Sequence, residues 1–435
     1  MLHLFDVKDF KGHAGNNRFE LPGLTIVSGT NNSGKSSLLQ GTYLLTQNKT
    51  NGKFTTLELN ERLRLGSFSD VLNKETDRTD TIEFVAFFDR DFLMKDSFET
   101  LRVQLVYQSQ SLFAPSGFME EDEALLTGMT LYYRKENEEP RNVEFQLLEN
   151  ENNNALFKIT GDTEEGYSKI TGIVPEPIFY KDTDMTERFI CSKELEIVRN
   201  YLARLNTDNI RYLSTHRSPD AQKPSGEGRR HGVGVSGEYT AEMIKNRLHD
   251  LIDFKDPDHK PYAFSKLFDM WVSELLGPEY RIRSEVQDGA SKIYVHEPHR
   301  NMKFSLQQVG SGISQLLPML VMILTSKHGD ILLIENPELD LHPKLQAQFV
   351  DLCIFALEHG RKFILETHSE HIVNRARLRI KNRNELLEKI RIYFFRKIDG
   401  DIRCTPIAVT AEGKIEEWPE HFFDQTYQDL MGLIE

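Results

Sequence analysis

The run Gly29-Thr30-Asn31-Asn32-Ser33-Gly34-Lys35-Ser36 carries the glycines, the lysine and the hydroxyl of a complete GxxxxGK[ST] phosphate loop. Its chemistry follows from the residue types. Successive backbone N–H groups and the positive end of a following helix surround phosphate oxygens. Lys35 would reach the β- and γ-phosphates, and the Ser36 hydroxyl would ligate Mg²⁺. The candidate nucleotide-binding residues are therefore Gly29, Asn31, Asn32, Ser33, Gly34, Lys35, Ser36 and Ser37. The competing reading is an ordinary glycine-rich turn between a strand and a helix.

Three later segments supply further chemistry. Asp330-Ile331-Leu332-Leu333-Ile334-Glu335-Asn336-Pro337-Glu338 is an apolar run ending in acid, a buried strand whose carboxyl end meets solvent. Ligands sit at such ends in open α/β sheets. Alone the run is equally a core strand; beside a phosphate loop it becomes the second acidic element for a magnesium nucleotide. Val309-Gly310-Ser311-Gly312-Ile313-Ser314-Gln315 is a small-residue turn entering an apolar helix, where glycine lets backbone approach a ligand. Its plain reading is a loop–helix junction. Phe363-Ile364-Leu365-Glu366 leads to Thr367-His368-Ser369, and His368 reads either as a site residue or as an ordinary loop side chain.

The elements that must position these residues are legible in outline. Leu24-Thr25-Ile26-Val27 suits a buried strand, and Leu38, Leu39, Leu44 and Leu45 predict a helix over Ser36–Thr46. Short β-type runs follow at Thr81–Phe88, Leu101–Tyr107, Met129–Tyr133, Val143–Leu148 and Leu156–Ile159, separated by acidic and Asn-rich turns. Helical spacing appears over Thr186–Leu205, Met243–Leu251 and Phe264–Leu276, and Ser218–Gly237 is a glycine-rich stretch expected to be a long mobile loop. From Gly312 onward helix and strand alternate: Gly312–Thr325, Asp330–Glu335, Lys344–His359, Lys362–Glu366 and Glu370–Ala376. That is the pattern of a parallel α/β core.

The 435 residues are 39 % hydrophobic and 28 % charged, which excludes a collagen-like, disulfide-stapled or fully disordered chain. Cys191, Cys353 and Cys404 are far apart and form no CxxC or Cys/His cluster, which fits a reducing compartment and no zinc site. No apolar run approaches the roughly 20 residues of a membrane helix, and no basic-then-apolar leader opens the sequence. The expectation is a cytoplasmic protein without a membrane partner. The net charge is −14, and Gly117–Ile170 holds thirteen Asp/Glu against five Lys/Arg. That run reads as a solvated face or as a docking surface for a basic partner. The balance argues against binding nucleic acid with the whole surface and leaves room for a local basic groove. Arg211, Arg217, Lys223, Arg229 and Arg230 form such a segment, a plain loop or a phosphate-backbone contact.

The order of phosphate loop, glycine turn, acidic strand and histidine resembles the ATP-binding-cassette type of ATPase head found in SMC-like, RecF-like and overcoming-lysogenisation-defect-like proteins. The resemblance is nearest to stand-alone bacterial ATPases. It rests also on Phe5–Lys11, on Leu65-Gly66-Ser67-Phe68-Ser69-Asp70, on Pro337–Pro343 and on Trp418–Asp424. It implies an α/β head, a parallel core plus an antiparallel β arm, with an inserted α/β or β-rich subdomain and no coiled-coil arm. The expected division is 1–95 for the first part of the head, 96–300 for the inserted region and 301–435 for the second part.

The resemblance further implies that two heads sandwich two ATP molecules. Ser311 and Gly312 would then contact the γ-phosphate of the partner's nucleotide, and Asp340 would lie in the segment crossing the dimer. Glu335 and Ser36 would hold Mg²⁺, and His368 would sense the γ-phosphate. The sequence departs from the pattern after the acidic strand, where Asn336 replaces the usual water-polarising glutamate. Either Glu338 takes that role or hydrolysis is slow. The Mg²⁺-holding acid is also Glu335 rather than Asp, and no glutamine is placed as a Q-loop. The 67 residues after His368 are too few for a Toprim nuclease. The implied function is an ATPase subunit controlling a separately encoded effector, a nuclease in bacterial anti-phage systems of the Septu type. The alternatives are a RecF-like DNA repair clamp and a scaffold that keeps ATP unhydrolysed.

Overall fold

Apolar runs of four or five residues cannot satisfy their backbones in a dry interior except by pairing, and here they pair with one another. In the computed structural model, residues 1–50, 54–74, 80–89, 99–112, 122–135, 137–148, 156–163, 165–176, 178–181, 187–190, 193–205, 209–219, 232–287, 289–398, 401–424, 429 and 431–433 are described. The chain divides into two units, 1–21 with 40–209 and 398–402, and 22–39 with 210–397 and 403–435.

The second unit is built on a six-stranded sheet in the order Ile210–Leu213, Ile331–Glu335, Lys362–Glu366, Leu24–Gly29, Ile390–Ile398, Asp401–Ile407. The first five strands run parallel. Strands buried on both faces read as continuous apolar runs, which explains Ile331–Ile334 and Phe363–Leu365. The helices Phe264–Leu276, Ser311–Leu324, Pro343–Glu358 and Glu370–Asn382 bury Phe268, Leu320, Phe349 and Ile372 in the same core as Ile26, Leu332 and Leu365. A separate antiparallel sheet joins Arg281–Gln287, Ala290–Glu297 and Met302–Ser305. Within Trp418–Asp424, Phe422 is buried edge-on against Phe394, ring centroids 5.2 Å apart.

The first unit is a twelve-stranded sheet whose described pairs are all antiparallel. Alternation sets its core: Leu101, Val103, Leu105 and Tyr107 are buried along Thr100–Ser109 while their neighbours are more exposed. Phe84 packs against Phe5, Phe10 and Tyr107 with centroids 5.4–5.9 Å apart. In Leu65–Asp70, Ser67 caps the short helix Phe68–Val71 in a capping box with Asp70.

The fold is the expected mixed α/β one, with a parallel core and an antiparallel sheet. Among the described residues the longest helix, Pro343–Glu358, has 16 residues, and there is no coiled-coil arm. No described helix is long and apolar enough to cross a membrane.

Two expected helices are corrected. Over Thr186–Leu205 the helix spans only Lys193–Leu205, and Glu187–Ile190 is a strand paired with Ile178–Lys181. Phe189 and Ile190 suit a strand, and the cross-strand ladder takes the backbone groups a first helical turn would have used. Over Met243–Leu251 the helix is Thr240–Arg247, and Leu251 opens a strand that turns Ile252 and Phe254 inward. Most of the expected mobile loop, 220–231, lies outside the described residues, and with it Lys223, Arg229 and Arg230.

Candidate functional site

The phosphate loop lies where its mechanism needs it, between the strand Leu24–Gly29 and the helix Lys35–Leu44. Gly29 has φ +149°, and a Cβ there would stand 2.0 Å from the Phe395 carbonyl oxygen of the adjacent strand, so no other residue fits. Thr30 N–H donates to that same oxygen at 3.0 Å, which anchors the loop's first turn. Asn32 and Gly34 take left-handed conformations, φ 57° and 84°, open to asparagine and glycine. The Ser33 hydroxyl donates to Thr30 O at 2.7 Å. Asn31 and Asn32 are exposed, whereas Ser33 and Ser37 are buried.

Lys35 is only 4 % exposed, and its ammonium donates to Gly29 O at 3.1 Å and Thr30 O at 2.6 Å. Burial lowers its pKa, opposed by the negative charge of Glu366. Loop carbonyls, with the nearby charge of Glu366, thus hold a desolvated cation inside a ring of backbone, an arrangement that an anion would stabilise further.

The acids stand at the carboxyl ends of the neighbouring strands. Parallel register puts Glu335 opposite Glu366. Glu335 Oε1 accepts from the Tyr212 hydroxyl, and its Oε2 accepts from Thr215 N–H and Thr215 Oγ1, both at 3.2 Å. Glu366 Oε1 accepts from the Ser36 hydroxyl at 2.9 Å. Burial, and then the charge of Glu335, push the Glu366 pKa up to about 7, while Ser36 and Lys35 pull the other way. Glu338 closes the cluster: its Oε2 accepts from Thr367 Oγ1 at 2.7 Å and its Oε1 from His368 N–H at 2.6 Å. The His368 ring faces solvent, and partial desolvation with the Lys35 charge holds its pKa below the ordinary value. Ser369 caps the next helix, accepting from His371 N–H and Ile372 N–H, and so fixes the turn that carries His368.

Asn336 sits at φ 43°, a left-handed position asparagine tolerates better than glutamate, and its N–H donates to Glu366 O at 2.8 Å. This is a backbone reason for the amide after the acidic strand. Gly312 begins the helix Ser311–Leu324, and a Cβ on it would stand 2.7 Å from Asp340 O. The glycine turn therefore packs on the segment that follows the acidic strand. Among the described residues, Ser311 and Gly312 make no hydrogen bond to the phosphate loop of their own chain.

Arg217 ties these parts together. It is 7 % exposed, and its guanidinium donates to Glu335 O, to Asn336 O at 3.3 Å and to Gln315 Oε1 at 3.3 Å. Burial lowers its pKa to about 10 against the charges of Glu338 and Glu335, so it remains cationic at neutral pH. Arg211 is equally internal, paired with buried Asp330 at 2.8 Å. The reading of these two residues as phosphate-backbone contacts is therefore corrected: both are spent inside the fold. The roles of Glu366, Tyr212 and Thr215 were not read from the sequence. The available signal was that the apolar runs Ile331–Ile334 and Phe363–Leu365 each end in glutamate.

Lys35, Ser36, Glu335, Glu338, Glu366 and His368 are thus brought to one end of the parallel sheet. Together they offer a cation for phosphate, a hydroxyl and carboxylates for a divalent ion, and acceptors for a proton. Among the described residues no group of three or more His, Cys, Asp or Glu side chains could hold a metal. Mg²⁺ needs no such cage, since it commonly takes one or two carboxylates and shares its remaining positions with phosphates and water. The buried Glu366 Oε2, which has no hydrogen-bond partner among the described residues, fits that demand.

No curated protein sequence matches the chain. Among solved structures it is similar to an Smc head bound to the C-terminal winged-helix domain of ScpA, at 12 % identity and TM-score 0.46 over 94 % of this chain and 97 % of that one. The SMC head domain from Thermotoga maritima gives 10 % identity and TM-score 0.40 over 94 % and 99 %. An Smc head with an extended coiled coil, bound to the C-terminal domain of ScpA and derived from Pyrococcus furiosus, gives 11 % and 0.45 over 100 % and 99 %. A family model described as protein of unknown function (DUF3696) matches 387–433. A family model described as AAA ATPase domain matches 1–373, which includes every residue of the site, and the chain belongs to that family.

Proposed function

We propose that the chain binds ATP with Mg²⁺ at Gly29–Ser37 and that two copies close around two nucleotides, each offering Ser311 and Gly312 to the other's phosphates. The observation that carries this reading is the buried Lys35 ammonium, whose hydrogen bonds among the described residues go to the loop carbonyls Gly29 O and Thr30 O, beside the carboxylate cluster. A triphosphate supplies the missing charge. Bound Mg²⁺ would neutralise the phosphates and polarise the one being transferred. Lys35 would hold the β- and γ-phosphates, with Ser36 and Glu335 toward the metal. Glu338 would take the water's proton in place of Asn336, and His368, tethered through its N–H to Glu338, would report the γ-phosphate. If Glu338 does not take that proton, the amide at 336 makes hydrolysis slow.

The output of closure is control of a separately encoded effector, a nuclease in anti-phage defence, on the strength of the motif resemblance. The DNA-clamp alternative loses support because Arg211 and Arg217 are internal. One experiment separates the two. The tagged chain, purified from its host in ATP and Mg²⁺, is expected to retain a second protein with nuclease activity. No retained protein, together with an ATPase stimulated by DNA and steeply weakened by salt, would instead establish the clamp.

A further inference from the structure

Four observations converge on one side chain that the proposed site above leaves without a task. The Ser36 hydroxyl, the loop's own ligand for Mg²⁺, donates to Glu366 and not to Glu335. Both oxygens of Glu335 are engaged, by Tyr212 of the neighbouring strand and by Thr215 in the bend that follows it. Glu366 is 5 % exposed, and its second oxygen, Oε2, is buried without a hydrogen-bond partner among the described residues. Its register neighbour is another carboxylate, Glu335, so the two charges are held side by side at the sheet's end.

The last two are unfavourable in the protein alone. A buried acceptor without a donor costs about 1–3 kcal/mol, more when it is charged. Two adjacent carboxylates repel in a medium of low dielectric. A divalent cation at Glu366 Oε2 would satisfy the orphaned oxygen, offset the repulsion and engage the Ser36 hydroxyl in the same step. Lys35 acts on Glu366 only through its charge and does not fill the orphaned oxygen, because its ammonium is turned onto Gly29 O and Thr30 O.

We infer that Glu366 is a magnesium ligand of the nucleotide site, its Oε2 joining the Ser36 hydroxyl in holding the cation. The inference rests on the nucleotide reading proposed above. It adds to the metal-binding set a carboxylate that the phosphate loop already touches, and it leaves Glu335 oriented by Tyr212 and Thr215. The competing role is a tether, in which Glu366 merely positions Ser36. Glu366→Gln separates the two, since an amide oxygen still accepts from Ser36 but carries no charge for a cation.

The test uses the full chain and a fluorescent ATP analogue, titrated in EDTA and again in millimolar Mg²⁺, with circular dichroism of each variant as the folding control. The readout is the ratio of the two affinities. In the wild type Mg²⁺ tightens binding. In Glu366→Gln that ratio falls about tenfold or more, the equivalent of roughly 1.4 kcal/mol. Glu366→Asp, which keeps the charge one methylene further back, loses less. A wild-type ratio in Glu366→Gln overturns the inference and leaves the tether. A folded Glu366→Gln protein that binds no nucleotide even in EDTA overturns it too, by making Glu366 a scaffold of the loop. Failure of the wild type to bind the analogue in either buffer removes the nucleotide reading itself.

Discussion

Lys35→Ala weakens ATP binding by about a hundredfold or more. Its ammonium would make two charge-assisted hydrogen bonds to phosphate at about 1.5 kcal/mol each, and a loss of about 3 kcal/mol is two decades in affinity. Its removal leaves the loop standing: Thr30 O keeps the Ser33 hydroxyl as a donor, and Thr30 N–H remains bound to Phe395 O. The effect therefore appears in a nucleotide titration without a matching loss of fold. Wild-type affinity in a folded Lys35→Ala protein would show that the triphosphate is held elsewhere.

Glu338→Gln retains ATP and lowers the turnover number by about a hundredfold, the lower end of what a positioned general base contributes. An amide accepts no proton. It also disturbs the pair of bonds that Glu338 receives, since its NH₂ would face one of two donors, Thr367 Oγ1 or His368 N–H. Steady-state phosphate release compared with nucleotide affinity isolates the chemical step. Unchanged turnover would remove Glu338 from that step and leave Asn336 as the mark of a protein that keeps ATP intact.

What the sequence made legible was whatever is contiguous. The loop Gly29–Ser36 is eight consecutive residues whose chemistry is local, and the strands around it are runs whose burial shows in their composition. The helices Phe264–Leu276 and Ser311–Leu324 agree with the expected spans to within a residue, because the apolar face of the first repeats at the helical period and the second is a continuous apolar run longer than a strand. Glu366 was visible as the end of an apolar run, but its meeting with Ser36 joins positions 330 residues apart. That meeting is fixed by parallel register, which no local pattern encodes. Arg217 was read from its glycine-rich surroundings as a loop cation. Its burial follows from its place beside Glu335, not from its neighbours in sequence. The three-stranded sheet over 281–305 went unseen for a different reason. In Arg281–Gln287 only Ile282 is buried, so the alternation that marks a strand is nearly absent.

The central claim is that nucleotide joins two copies of the chain, and mass in solution tests it most directly. Light scattering on the wild-type protein with saturating non-hydrolysable ATP analogue and Mg²⁺ is expected to show a doubling that is absent without nucleotide. Ser311→Arg should bind the analogue at the Gly29–Ser36 loop and yet stay at the smaller mass. A wild-type protein with its loop saturated by the analogue and its mass unchanged would contradict the account.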